Sequence, residues 1–261
     1  MNEFKDKMFL ITGASGGIGA AFASRLAKEG SNLILVARSE DKLLALANKL
    51  SIEYKIRCEV IVADLSLPES AQNIFEETQK RNLQIDVLIN NAGFGTYGEF
   101  ETLDPVKEHK EIMLNVASLV AMTHQFIPQM LARKQGAIIN LASVAGYQPI
   151  PYMAVYAATK AFVLSFSEAL WGEYHTEGIS VLALSPGETA TDFFKEIGPQ
   201  YGTHGKMETP EQVVTVGLLA LLQRRSSVIS GKQNNILANS SRFAPRKLVV
   251  LITMHFLKLR K

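Results

Sequence analysis

Short apolar runs rich in β-branched residues recur along the chain, and segments of helical period fall between them. This alternation is the sequence sign of βαβ units around a parallel sheet. The runs lie at 8–12, 33–37, 58–63, 87–90, 137–141 and 180–184, with a weaker one at 227–230. Helical periods fit at 18–28, 40–50, 69–81, 106–133 and 154–174. The strands read as continuous apolar runs, as strands do when both faces of a sheet are covered. The expected fold is a doubly wound, Rossmann-type α/β domain with a seven-stranded parallel sheet. No Pro-, Gly- or Ser-rich linker divides the chain, so one domain is expected: residues 1–235 as the main body, and 236–261 as a basic, apolar tail that is not a separate domain. The polar stretch 187–209, dotted with Gly and Pro, falls after the sixth strand. Open α/β sheets bind ligands beyond the carboxyl ends of their strands, which makes this stretch a candidate substrate lid.

Composition narrows the function. Among 261 residues, 27 basic and 25 acidic side chains nearly balance, which argues against a nucleic-acid footprint. Cys58 is the only cysteine, so no thiolate-rich metal site can be built and no metal is expected. The run Met8-Phe9-Leu10-Ile11 is too short for a signal or a membrane span. A cytoplasmic protein is the expectation.

Directly after the first run comes Thr12-Gly13-Ala14-Ser15-Gly16-Gly17-Ile18-Gly19, then a helical period. A glycine-rich turn there lets a pyrophosphate approach the backbone and rest on the free amides at the positive end of a helix. Gly13, Ser15, Gly17, Ile18 and Gly19 are the candidate contacts, although a tight turn that binds nothing has the same composition. Where an acidic residue would hold the ribose hydroxyl of NAD, the second strand ends in Ala37-Arg38-Ser39. A guanidinium suits the 2′-phosphate of NADP, so NADP(H) is preferred, with NAD(H) as the second option. Asp64, next to Leu65, is either a loop cap or an acceptor for the adenine amino group. Asn90-Asn91-Ala92-Gly93 closes the fourth strand with small residues that admit a nucleotide, or simply makes a turn.

The run Tyr156-Ala157-Ala158-Thr159-Lys160 lies in an expected helix, with Ser143 just after the fifth strand. Residues at i and i+4 share a helix face, so a phenol and an ammonium enter one space. A cation there is expected to lower the Tyr156 pKa from about 10 toward neutrality, making it a usable acid or base. Read alone, the pair is also what an interfacial Tyr with a snorkelling Lys looks like.

Taken in order, these elements resemble the short-chain dehydrogenase/reductase family, whose marks are T-G-x-x-x-G-x-G, N-N-A-G, a Ser upstream of Y-x-x-x-K, and a P-G turn after the sixth strand. The resemblance runs from Met8 to about Leu237, with Pro186-Gly187 followed by Thr189 and Thr191; Glu188 stands at a position that varies. It implies that Tyr156 is the general acid/base, that Lys160 lowers its pKa and binds the nicotinamide ribose, and that Ser143 orients the carbonyl. Asn115 would hold a water of the proton relay. Asn91, Ala92, Gly93, Pro186, Gly187, Thr189 and Thr191 would contact the cofactor. The implied reaction is hydride transfer between nicotinamide C4 and a carbonyl or secondary alcohol carbon, in a homodimer or homotetramer joined through two long helices. Leu35-Val36-Ala37-Arg38 and Asn234-Asn235-Ile236-Leu237 resemble the subgroup of 3-oxoacyl reductases, hydroxysteroid dehydrogenases and related bacterial oxidoreductases.

Phe94, Tyr97, Tyr147, Tyr152, Met153 and Phe193 lie near the catalytic elements and are candidates for an apolar substrate pocket, or for packing. The tail sets Phe243, Leu248, Val249, Val250, Leu251, Ile252, Phe256 and Leu257 among Arg242, Arg246, Lys247, Lys258, Arg260 and Lys261. It suits peripheral contact with an anionic lipid surface, or a helix packed on another subunit or over the pocket. Two rival functions remain: a catalytically silent dinucleotide sensor, and a lipid-surface protein working through the tail.

Overall fold

The computed structural model describes residues 3–197 and 207–257. Seven parallel strands form one sheet: β1 (Met8–Thr12), β2 (Asn32–Ala37), β3 (Cys58–Val62), β4 (Val87–Asn90), β5 (Gly136–Leu141), β6 (Ile179–Ser185) and β7 (Ser227–Ile229). Their order is β3-β2-β1-β4-β5-β6-β7, so the direction of winding reverses between β1 and β4. That reversal leaves a crevice at the carboxyl ends of those two strands.

Alternate residues of each strand point to opposite faces, and both faces are apolar because both are covered. Phe9, Ile11, Leu33, Leu35 and Ile89 pack with Phe22 and Leu26 of α1 (Gly17–Lys28), Leu43 of α2 (Glu40–Tyr54) and residues beyond the sixth strand. Leu10, Ile34, Leu88 and Ile138 pack on the other face with Ile74 of α3 (Ser70–Lys80) and with Phe126 and Met130.

The helix expected over 106–133 is present from Pro105 to Arg133, but it is not α-helical throughout. It begins as α4 (Pro105–Ile112), widens into a π turn at Met113–Ser118 and resumes as α5 (Leu119–Arg133). Asp104 caps its start by accepting from the Val106 amide at 2.9 Å. A π turn inserts one extra residue, and such turns cluster where a helix side chain must be aimed at a site; here it carries Asn115.

Downstream come α6 (Ala154–Tyr174), the short α7 (Phe193–Ile197), α8 (Pro210–Leu222), α9 (Lys232–Ser240) and α10 (Arg246–Leu257). Thr209 and Gln212 form a reciprocal capping box at the start of α8. The boundary placed at 235/236 lies inside α9. Of the candidate lid, residues 198–206 lie outside the described residues, as do Lys258, Arg260 and Lys261 of the tail. No helix among the described residues is long and apolar enough to cross a membrane.

Candidate active site

Thr12 ties together the ends of β1 and β4. Its hydroxyl accepts from the amides of Asn91 and Ala92 at 2.9 and 3.0 Å and donates to the Ile89 carbonyl at 3.3 Å. Asn91 Nδ2 donates to the carbonyls of Thr12 and Gly13 at 2.8 and 3.2 Å. Backbones meet so closely here that side chains are excluded. Gly13 sits at φ +66°, and a Cβ there would stand 2.9 Å from Ala92 Cα; one on Gly19 would run into the Gly13 carbonyl. The cap residue of α1, Gly16, makes no side-chain cap bond. The first amides of the helix are therefore left for a ligand anion.

Above these strand ends lies a cleft of about 880 Å³. Every expected cofactor contact except Gly19 lines it, as do Ser143, Tyr156 and Lys160. Gly19 and Asn115 stand behind its wall, Asn115 at 1% exposure and Gly19 in the α1 packing. Arg38 is exposed beyond β2, joined on the wall by Ser39 and Lys42. Bare glycine backbone, uncapped helix amides and a cationic corner fit a dinucleotide carrying an extra phosphate. Asp64 is a loop cap: its Oδ1 accepts from the Ser66 amide at 3.0 Å and hydroxyl at 2.7 Å. Burial works against its charge, but those hydrogen bonds, with Arg38 and Lys110 nearby, hold its carboxyl below the usual range.

Ser143, between β5 and a turn of 3₁₀ helix, accepts from the Ala145 amide at 3.1 Å. Its hydroxyl shares the cleft wall with the Tyr156 phenol and favours the phenol's ionised form. Lys160 is buried; its Nζ donates to the Leu141 carbonyl at 2.7 Å and lies 5.7 Å from the centre of the Tyr156 ring. The expected lowering of the Tyr156 pKa is not found in the free protein. Burial pushes the phenol up to about 12 against the pull of the Ser143 hydroxyl, with Glu111 adding to the rise. Burial likewise brings Lys160 down to about 8, opposed by Glu111. The reason is desolvation: a buried ammonium committed to a carbonyl is itself short of charge stabilisation and has little to lend its neighbour.

Asn115 closes the inner wall. Its Nδ2 donates to the Phe94 carbonyl at 2.9 Å and to Thr159 Oγ1 at 3.1 Å, while its Oδ1 accepts from the Phe94 amide at 3.2 Å. Thr159 in turn donates to the Tyr156 carbonyl at 2.8 Å. The π turn, the strand-end loop and α6 are thus locked together around the phenol.

The family model described as short chain dehydrogenase matches residues 7–202. The chain belongs to the short-chain dehydrogenase family. Hydroxysteroid dehydrogenase-like protein 1 of Gallus gallus is 40% identical over 184 residues, 70% of this chain and 55% of that one. Very-long-chain 3-oxoacyl-CoA reductase of Anas platyrhynchos is 37% identical over 221 residues, 80% of this chain and 68% of that one. The chain therefore spans only a little over half to two thirds of these two relatives' lengths. Among solved structures, a short-chain dehydrogenase from Sphingobium yanoikuyae in complex with NADPH superposes with a TM-score of 0.82 at 32% identity, covering 93% of this chain and 94% of that one.

In this short-chain dehydrogenase the space beyond Tyr156 is aromatic. Tyr97, Tyr152, Met153 and Phe193 gather there with Ile150 and Phe194, and Phe193 lies 5.3 Å from the Tyr156 ring. Phe94 lines the cleft. Tyr97 and Tyr152 do not line it, although they pack in the cluster, and neither does Tyr147, whose hydroxyl accepts from Ser185 Oγ at 3.5 Å. The base of the candidate lid is closed by a bridge between Thr189 and Glu208. Glu208 also accepts from Ser230 Oγ at 2.7 Å and Asn234 Nδ2 at 3.1 Å. Helix α10 reaches back over the pocket, where the Leu257 carbonyl accepts from the Tyr97 hydroxyl at 2.6 Å. Sequence reasoning missed Thr12, Ser39, Lys42 and Thr159. Lys42 had a readable signal, since it stands one turn after Arg38 at the opening of α2.

Proposed function

We propose that the chain is an NADP(H)-dependent oxidoreductase that interconverts a carbonyl and a secondary alcohol on an apolar substrate: a ketone, a 3-oxoacyl thioester or a steroid-like ring. The observation that carries this reading is the meeting of Ser143, Tyr156 and Lys160 on the cleft wall, between the glycine-lined dinucleotide cradle and the aromatic cluster. When bound, the nicotinamide supplies or accepts the hydride. Ser143 orients the carbonyl oxygen by a hydrogen bond, and Tyr156 gives it a proton or takes one back. Lys160 holds the next proton, and Asn115 holds the inner wall beside it. A silent sensor would have no need of this set. The test is loss of NADPH absorbance on addition of apolar ketones and 3-oxoacyl thioesters, with NADH as the weaker donor.

The outer faces of the long helices support a homodimer or homotetramer: on α6, Phe162 stacks on Phe166 at 5.7 Å while 42% exposed. The tail supports a peripheral lipid contact in addition, because Leu248, Leu251, Ile252 and Phe256 are exposed on α10 near Arg246 and Lys247. Replacing Leu251 and Ile252 by Glu is expected to abolish co-sedimentation with phosphatidylserine vesicles while leaving the oligomer intact by light scattering. Unchanged sedimentation would remove the lipid contact from the reading.

A further inference from the structure

Glu111 has no part in the chemistry above, yet it lies at the heart of the site. It sits in α4, one helical turn before Asn115, and is completely buried. Thr96 Oγ1 donates to its Oε2 at 2.8 Å, and its Oε1 has no partner among the described residues. A buried carboxylate oxygen without a donor is costly, and its retention asks for an explanation.

The charged and titratable groups around it define two sides. Lys160 and Tyr156 of α6 are the groups on one side whose charge couples to Glu111, without a direct hydrogen bond or ion pair to it. On that side Asn115, Gly93 and Lys160 crowd together, since a Cβ on Gly93 would stand 2.9 Å from Asn115 Oδ1 and 3.5 Å from Lys160 Nζ. Glu108, three residues earlier on the same helix, adds a second negative charge and lines a separate cavity of about 220 Å³. That cavity is bordered by Phe100, which is 66% exposed, so it opens at the surface. Glu111 thus lies on the helix between Glu108, at an opening that is not the substrate mouth, and Asn115, beside the buried ammonium.

From this geometry we propose that Glu111 is a relay residue that carries protons between Lys160 and the cavity bordered by Glu108, a route to solvent separate from the substrate cleft. The proposal rests on the oxidoreductase reading above. In reduction, the Tyr156 O–H bond breaks and its proton goes to the substrate oxygen. The phenolate is reprotonated from the Lys160 side, as an ammonium N–H bond breaks. The Glu111 O–H then breaks and its proton restores the ammonium through an intervening water, and the carboxylate is reprotonated by a hydronium-borne proton that enters from the cavity past Glu108. One solvent proton is consumed per hydride, Glu111 is neither oxidised nor reduced, and oxidation runs the same steps backward.

The proton affinities suit this traffic. Burial pushes Glu111 up to about 7, with the Thr96 hydrogen bond opposing, Glu108 adding and Lys160 opposing. Lys160 lies at about 8, so a proton passes between the two groups at little cost in either direction. Reduction needs Glu111 protonated, so its rate should hold below neutrality and fall as pH rises through about 7; oxidation should show the reverse.

The experiment measures kcat and KM against pH for NADPH-driven reduction of the N-acetylcysteamine thioester of a medium-chain 3-oxo acid. Glu111→Gln is expected to lose the inflection near neutrality and about tenfold or more in kcat, with KM for NADPH unchanged. Glu111→Asp, which keeps a carboxylic acid, should restore the inflection and part of the rate. Glu108→Gln, at the cavity wall, should move the inflection to lower pH by removing a neighbouring negative charge. A Glu111→Gln enzyme with unchanged kcat and inflection would overturn the proposal, as would one that is slower at every pH with the inflection retained. Wild-type protein that binds NADPH but reduces neither this thioester nor any ketone would overturn the oxidoreductase reading and this relay together, whereas active wild type with an indifferent Glu111→Gln overturns the relay alone.

Discussion

Tyr156→Phe is expected to bind NADPH as the wild type does and to turn over about 10²–10⁴ times more slowly. The ring of Tyr156 packs 5.3 Å from Phe193 and beside Lys160, and a Phe ring keeps both contacts. Only the hydroxyl is lost, and with it the proton the reaction needs. Since the phenol of the free protein sits at about 12, it is protonated at neutrality and stands ready as the acid for reduction. Oxidation requires the phenolate instead, so wild-type oxidation should gain with rising pH. Fluorescence titration of NADPH alongside initial rates separates the two effects. Turnover retained within a factor of a few would show that another group supplies the proton.

Arg38→Asp is expected to reverse the cofactor preference. It removes the guanidinium at the cationic corner and puts in a carboxylate, which repels a phosphate and accepts from ribose hydroxyls. A hydrogen bond to a charged group contributes about 1.5–3 kcal/mol, or roughly tenfold to a hundredfold in affinity. Arg38 is exposed, so solvent screening places the NADPH loss toward the lower end. Lys42 on the same wall should keep some NADPH affinity, and adding Lys42→Ala should deepen the loss. Equal NADPH and NADH dissociation constants before and after the change would show that discrimination lies elsewhere.

The sheet was readable because its strands are apolar on both faces, so even short runs such as Val87–Asn90 stand out between polar segments. The phosphate turn and the Tyr156–Lys160 pair were readable because they are local, fixed by spacing along one strand-turn-helix or one helix face. The π turn was not: an extra residue over one turn leaves the helical period on either side intact, and only the bonds of Asn115 to the Phe94 loop reveal it. The direction of the Tyr156 shift also escaped, since spacing brings a cation near a phenol but says nothing of how dry both become. Glu111 hid best. In sequence it belongs to a charged run with Lys107, Glu108 and Lys110, which reads as a solvated helix face, and only tertiary packing shows that it is buried while both lysines stay exposed. The bridge between Thr189 and Glu208 joins the two ends of the candidate lid, a pairing no local pattern encodes.

The measurement that bears most directly on hydride transfer at Tyr156 uses NADPH deuterated at C4 with the panel of apolar ketones and 3-oxoacyl thioesters, and mass spectrometry of the products. Wild type should yield an alcohol with one deuterium on the carbinol carbon, and Tyr156→Phe should yield almost none in the same time. Wild-type protein that leaves every panel member unreduced, or an alcohol product free of deuterium, would contradict the assignment of this cleft as a site of nicotinamide-driven carbonyl reduction.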